Sequence, residues 1–241
     1  MSLPLLYQDE HFIAVDKPSG FHVHPHEDRR NKVSRDKICL YLARDMIGQH
    51  VYPVHRLDAG TSGVLLFALS SASASVIAKL FAEKRLQKTY HAVVRGYLPE
   101  EGQIELPLEL DSTGDLVEAK TSYKRLATVE FPVSVAKRFP TSRYSLVEAR
   151  PHTGRWHQLR RHFNRISHPL IGDADHGDCR QNRFFRNELG VPGLCLKAQS
   201  LELTHPWSRQ PLKIEARACE KWDKIYQYFS VTAASIQTNP G

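Results

Sequence analysis

From Val64 to Leu69 the chain reads Val-Leu-Leu-Phe-Ala-Leu, apolar at every position, with Gly63 before it and Ser70-Ser71 after it. A run this short cannot cross a bilayer, which takes about 20 residues, so it reads as a strand buried inside a core. Burying it requires layers of other elements, and 241 residues that are 41% apolar supply them. Immediately after the strand, a Ser-rich start opens a helix carrying Val76, Ile77, Leu80 and Phe81 on one face. The local order is therefore loop, strand, helix.

Elsewhere the periodicity changes repeatedly. "HFIAVDKPSG" reads as a β-branched strand halted by Lys17-Pro18-Ser19-Gly20. Ile38, Tyr41, Leu42 and Met46 recur at helical spacing between 33 and 47, and Gly48 stands where a C-terminal cap is expected. "QKTYHAVVRGYL" alternates, with Tyr90, Ala92, Val94 and Gly96 on one face and His91, Val93, Arg95 and Tyr97 on the other. "SYKRLATVE", "RYSLVEA", "LCLKAQSLELTHP" and "PLKIEARA" supply further strands, and "CEKWDKIYQYF" a closing amphipathic helix. Residues 155–166 show helical spacing, with Trp156, Leu159, Phe163 and Ile166 as an apolar stripe and His157, Arg160, Arg161 and Arg165 away from it. Strands outnumber helices without regular βαβ alternation, which predicts an α+β fold with a largely antiparallel or mixed central sheet. No repeat, low-complexity tract or long linker divides the chain. One domain over 1–230 is expected, followed by a flexible tail over 231–241.

Charge narrows the partner. Lys and Arg outnumber Asp and Glu by 33 to 26, a balance that favours an anionic partner without identifying it. The helix of residues 155–166 has either a solvated basic face or one that contacts phosphates. "DCRQNRFFRNELG" is either a backbone track that mixes Arg180, Arg183 and Arg186 with aromatic rings, or a loop anchored by Phe184 and Phe185. Cys39, Cys179, Cys195 and Cys219 show no metal or redox spacing, so reduced thiols and a cytoplasmic location are expected. No signal-peptide pattern opens the chain, and secretion and membrane insertion are not expected.

Several chemistries lack their signatures. His22, His24 and His26 would share one face of a strand, but Pro25 breaks the run and no Cys or His-Glu-x-x-His motif joins it, so no metal site is assigned. Ser62 is not in a nucleophile elbow, and no phosphate-cradling glycine loop is present. Asp58, in "HRLDAGTSG" at the mouth of the buried strand, where Gly60 and Gly63 let the backbone turn, is either half of a solvated surface pair with Arg56 or a carboxylate placed for chemistry. A carboxylate nucleophile must stay ionised, and partial burial raises its pKa unless a cation offsets the desolvation. Arg56 and the arginines of 155–165 are the available cations.

Five segments in order, "DKPSGFHVHP", "HRLDAGTSGVLLFA", "KTYHAVVRG", "TGRWHQLRRHF" and "HPLIGDADHG", resemble the RluA-type pseudouridine synthases. "ATVEFPVSVAKRFPTSRYSLVEARPHTGR" and "HGDCRQNR" are similar to a branch of that family that acts on tRNA and starts directly at the catalytic domain. The resemblance implies the pseudouridine synthase fold with a central catalytic cleft, and conversion of one uridine to pseudouridine, uridine 65 near the T-stem and acceptor region of tRNA. It further implies Asp58 as nucleophile, Tyr90 stacking on a flipped base and taking the C5 proton, and Arg160 paired with Asp58. Arg56 would help to fill the gap left by the extruded nucleotide, Leu196 would line the uracil pocket, and His55, Arg155 and Arg161 would bind substrate. No cofactor, metal or membrane is implied, and a monomer is expected. Lys197 departs from the family, which often has His there. The same reaction on ribosomal RNA, a non-catalytic RNA-binding role and a histidine-dependent ribonuclease are the competing readings.

Overall fold

The computed structural model describes residues 3–25, 33–110, 112–136 and 139–231. In chain order the elements are β1 (Leu5–Gln8), β2 (Phe12–Lys17), α1 (Cys39–Ile47), β3 (Tyr52–Pro53), β4 (Ser62–Ala68), α2 (Ser71–Ala82) and β5 (Leu86–Arg95). There follow β6 (Glu101–Ile104), β7 (Leu108–Glu109), β8 (Leu116–Val117), β9 (Thr121–Phe131), β10 (Ser142–Pro151), α3 (Gln158–Arg165), α4 (Cys179–Asn187), β11 (Leu196–Thr204), β12 (Pro211–Glu215) and α5 (Glu220–Tyr228). The expected α+β class is found, with strand pairing mixed but mostly antiparallel. The expected tail lies, from residue 232 onward, outside the described residues.

The chain forms two compact units, one of residues 1–89 and 197–217, the other of 90–196 and 218–241. In the first, β4 pairs antiparallel with β2 from Phe12↔Ala68 to Lys17↔Gly63, and parallel with β11 at Ser62↔Lys197 and Gly63↔Ala198. β1 and β12 extend this sheet outward from β2 and β11. The apolar run is buried as expected, Val64 to Ala68 being at most 3% exposed. α2 begins at a Ser70 cap, whose Oγ accepts the Ser73 N–H at 3.1 Å, and packs Ile77 and Leu80 on Phe12, Ala14, Val64 and Leu66. Val76, expected on that face, is instead 39% exposed. α1 ends at Gly48 in the left-handed region (φ +73°), its N–H bonded to the Arg44 carbonyl, so the expected cap is found.

In the second unit β10 lies between residues 90–95 of β5 and β9, and β9 also pairs with β6, all antiparallel. The period-2 reading of β5 holds. Ala92 and Val94 face a core completed by Leu159 and Phe163 of α3, while Val93 faces one built from Phe184 and Phe185 of α4 and Trp222, Ile225 and Tyr226 of α5. "DCRQNRFFRNELG" therefore forms a helix whose two rings anchor it, with Arg180, Arg183 and Arg186 exposed. α3 corrects the sequence reading: it starts at Gln158 and leaves Trp156 outside the helix and 44% exposed.

Candidate active site

In the first unit the Asp58 segment is a clamped turn. The Thr61 N–H closes it on the Asp58 carbonyl at 3.0 Å, and Asp58 itself is half-buried. Three groups from the Lys17–Gly20 turn hold the next two carbonyls: Lys17 Nζ donates to Ala59 O at 2.9 Å, Gly20 N–H to the same oxygen at 2.7 Å, and Ser19 Oγ to Gly60 O at 2.8 Å. Lys17 is fully buried and also donates to the Pro18 and Phe21 carbonyls. Burial pushes its pKa down to about 8, with the negative potential of Cys39 and Asp58 opposing the fall. Each of its three protons thus meets a carbonyl, the arrangement a buried ammonium requires.

The strand start is equally constrained. Gly63 has φ +109°, and a Cβ there would stand 2.1 Å from the Ala198 carbonyl oxygen, so close pairing of β4 with β11 admits no side chain. His55 is half-buried, stacks on Phe81 with ring centroids 4.7 Å apart, and accepts the Leu66 N–H on Nε2 at 3.0 Å. Burial, then the Lys88 charge, push its pKa down to about 3, so the ring is a neutral anchor for the Asp58 approach. Arg56, between them, is exposed.

The second unit gathers the other expected residues. Tyr90 on β5 packs against the cluster that includes Leu196, 3% exposed, and Leu159 and Phe163 of α3. Arg160, on the same helix, is 7% exposed and held on several sides. Its Nε and NH2 donate to Asp173 at 2.8 and 2.6 Å, NH2 also to Asp175 at 2.6 Å, and NH1 to His157 Nε2 at 2.7 Å. This forked geometry fixes the guanidinium plane. Burial would raise the Asp173 carboxyl, but hydrogen bonds from Arg160 and from the His176 and Asp175 amides hold it below its ordinary value. Arg161 donates to the Glu109 carbonyl and Arg155 Nε to the Glu118 carbonyl.

Asp173, His157 and Lys17 are the supports that sequence reasoning missed. Their signal was present only as motif letters, in "HPLIGDADHG", "TGRWHQLRRHF" and "DKPSGFHVHP". His157, Asp175 and His176 also approach metal-ligand spacing. Arg160 can only donate, so His157 Nε2 accepts and Nδ1 carries the proton toward His176 Nε2, 3.1 Å away, a tautomer that opposes metal binding at Nδ1. Of the three histidines near the N-terminus, His22 forms an isolated bridge with Ile38, His24 lies in a bend, and His26 is outside the described residues. Lys197 is 3% exposed and donates to the Arg217 carbonyl at 3.0 Å, an internal duty a histidine's shorter reach would not duplicate.

Residues 11–165 match the sequence model of the family described as RNA pseudouridylate synthase. The chain is 45% identical over 237 residues to tRNA pseudouridine synthase C of Vibrio vulnificus, covering 94% of this chain and 95% of the relative. It is 46% identical over 246 residues to the protein of the same name from Pasteurella multocida, covering 98% and 100%. In fold it is similar to human RNA pseudouridylate synthase domain containing 4, with a TM-score of 0.70, 22% identity and coverage of 94% and 93%.

Proposed function

The chain belongs to the RNA pseudouridylate synthase family and is an RNA-modifying isomerase, and from that premise we propose that it converts a single uridine of tRNA, uridine 65, to pseudouridine with Asp58 as the nucleophile. Near-full-length similarity to tRNA pseudouridine synthase C from two bacteria supports the choice of tRNA. The observation that carries the choice of Asp58 is the clamped turn, in which Lys17, Ser19 and Gly20 fix the two carbonyls that follow the carboxylate. A nucleophile on a rigid platform loses little orientational freedom on reaction.

The net chemistry breaks the N1–C1′ bond of uridine and forms a C5–C1′ bond, while the proton lost from C5 is balanced by one gained at N1. Nothing is oxidised or reduced, so the isomerisation calls for no redox cofactor. In this reading Asp58 forms the transient covalent bond to the target nucleoside, at the sugar or at the base ring. Tyr90 stacks on the everted base and accepts the C5 proton, and Leu196 lines the same pocket. Arg160 balances the anionic nucleophile, a role favoured by its fixed guanidinium. Arg56 fills the space left in the RNA, at a position exposed enough to reach it. His55, Arg155 and Arg161 position the substrate, His55 through the path of the 55–58 segment. Flipping costs a few kcal/mol, an expense that an inserted side chain and a receiving ring offset. Residues 1–230 act together as the catalytic domain.

Pseudouridine mapping at nucleotide resolution on an unmodified tRNA transcript treated with the purified chain tests the reading. One modified uridine at position 65 is expected. Asp58→Asn should abolish product while leaving tRNA affinity within about threefold, since the contacts that set affinity are chiefly phosphate contacts. Product formed at the normal rate by that variant would remove Asp58 from the chemistry. Product only on ribosomal RNA would move the substrate, and binding without product would leave a non-catalytic RNA-binding protein.

A further inference from the structure

We propose that Trp156 is a stacking platform for a nucleobase of the RNA, a contact beyond the residues assigned to the reaction; the inference rests on the reading of this chain as an RNA-modifying enzyme. It starts from how the segment "TGRWHQ" divides its side chains. Thr153 and Gln158 point inward and are each 5% exposed. Gln158 Oε1 accepts from Thr153 Oγ1 at 2.7 Å and from the Arg155 N–H at 3.0 Å, and its Nε2 donates to the Lys120 carbonyl and Thr121 Oγ1. The Lys120 N–H returns a bond to Thr153 Oγ1. The interior of the segment is therefore spent on fixing its own backbone, and Gly154, Arg155 and Trp156 are what it presents outward.

The indole is held in one orientation. It lies on the His157 imidazole with ring centroids 3.6 Å apart and planes 16° from parallel, and His176 meets it edge-on at 6.2 Å. His157 is itself fixed, with backbone in the left-handed region at φ +48°, Nε2 on Arg160 and Nδ1 on His176. One face of the indole is therefore covered by the imidazole, and the residue is still 44% exposed. A folding chain gains little from an indole left that open, because transfer from water rewards only the area removed. A ring pre-set by a stacked neighbour, with a guanidinium beside it in sequence, suits a flat apolar partner carrying phosphate, which is a nucleotide. Exposed Arg155, whose Nε is anchored on the Glu118 carbonyl, supplies the charge. The covered face leads through His157 to Arg160, so a base laid on the open face would also bear on the group that holds that arginine.

The test compares the wild-type chain with Trp156→Ala and Trp156→Phe, using an unmodified tRNA transcript over a range of salt concentrations. Trp156→Ala should raise Kd about tenfold, Trp156→Phe should recover most of the loss, and the slope of log Kd against log salt should not change, because no phosphate contact is removed. Quenching of tryptophan emission by RNA should also fall in Trp156→Ala, although Trp207 and Trp222 remain. Thermal unfolding of each variant at the wild-type temperature checks the fold. An unchanged Kd in Trp156→Ala overturns the proposal, as does a loss that phenylalanine does not rescue and that alters the salt slope, since the indole would then only prop Arg155. Trp156-dependent binding by a wild-type chain that makes no pseudouridine would keep the platform and overturn the catalytic reading. Pseudouridine formed with Trp156-independent affinity does the reverse, and a wild-type chain that does not bind RNA overturns both.

Discussion

His55 stays neutral in the folded chain, because burial and the Lys88 charge push its pKa down to about 3, against 6.5 for an ordinary histidine. Between those values the unfolded chain binds a proton that the folded chain refuses, so stability rises with pH and is lost as pH falls below about 6.5. From pH 6.5 to 5 the loss from this one ring should be roughly 1.5 kcal/mol. His162, also lowered by burial, adds in the same direction. Urea unfolding of wild type and His55→Gln at the two pH values checks this: the substituted chain should show a shallower decline, and parallel curves would mean that the ring is hydrated. At this scale the sequence was informative about Asp58, because two glycines and a following apolar run mark a tight turn at a strand mouth. It was silent on Lys17 as the clamp, since that role depends on carbonyls 1, 4 and 42 residues away in sequence converging on one ammonium.

Among the elements, β5 was legible because period-2 alternation survives burial on both faces, with Ala92 and Val94 in one core and Val93 in the other. The start of α3 was not. Trp156 is in phase with Leu159 and Phe163, but the hydrogen bonds of Gln158 to Thr153 and Arg155 set where the helix begins, and apolar spacing carries no record of them. Helices end where polar groups dictate. β4 offers a sharper test of how an element positions chemistry. Gly63→Ala would force a Cβ to within 2.1 Å of the Ala198 carbonyl and strain a backbone already at φ +109°. The strands must part, at a cost of about 3 kcal/mol or more. Denaturant titration should show that loss, and pseudouridine formation should fall with it even where the variant remains folded, because Asp58 lies four residues before the first β4 residue, Ser62.

At the scale of the whole molecule, a formal charge of +7 makes RNA affinity salt-dependent, with each neutralised phosphate adding about 0.7 to 0.9 to the slope. Arg180, Arg183 and Arg186 line the exposed side of α4 while Phe184 and Phe185 anchor the other. Replacing all three by alanine should lower the salt slope for tRNA by about 2, without lowering the unfolding temperature. An unchanged slope would leave α4 as a structural helix only. The division into two compact units was invisible in the sequence: two of its three boundaries fall inside strands, between Thr89 and Tyr90 in β5 and between Leu196 and Lys197 in β11, and the third, between Arg217 and Ala218, lies in the short connection from β12 to α5, where no long linker marks it. The parallel pairing of Ser62 and Gly63 with Lys197 and Ala198 also orders events during biosynthesis. A nascent chain leaving the ribosome has made the loop that carries the acid long before it makes the strand that braces it. The turn that carries Asp58 is thereby left without its brace until the 135 residues that lead from Ser62 to Lys197 have been added, while the half-made protein is still surrounded by ribosomal RNA.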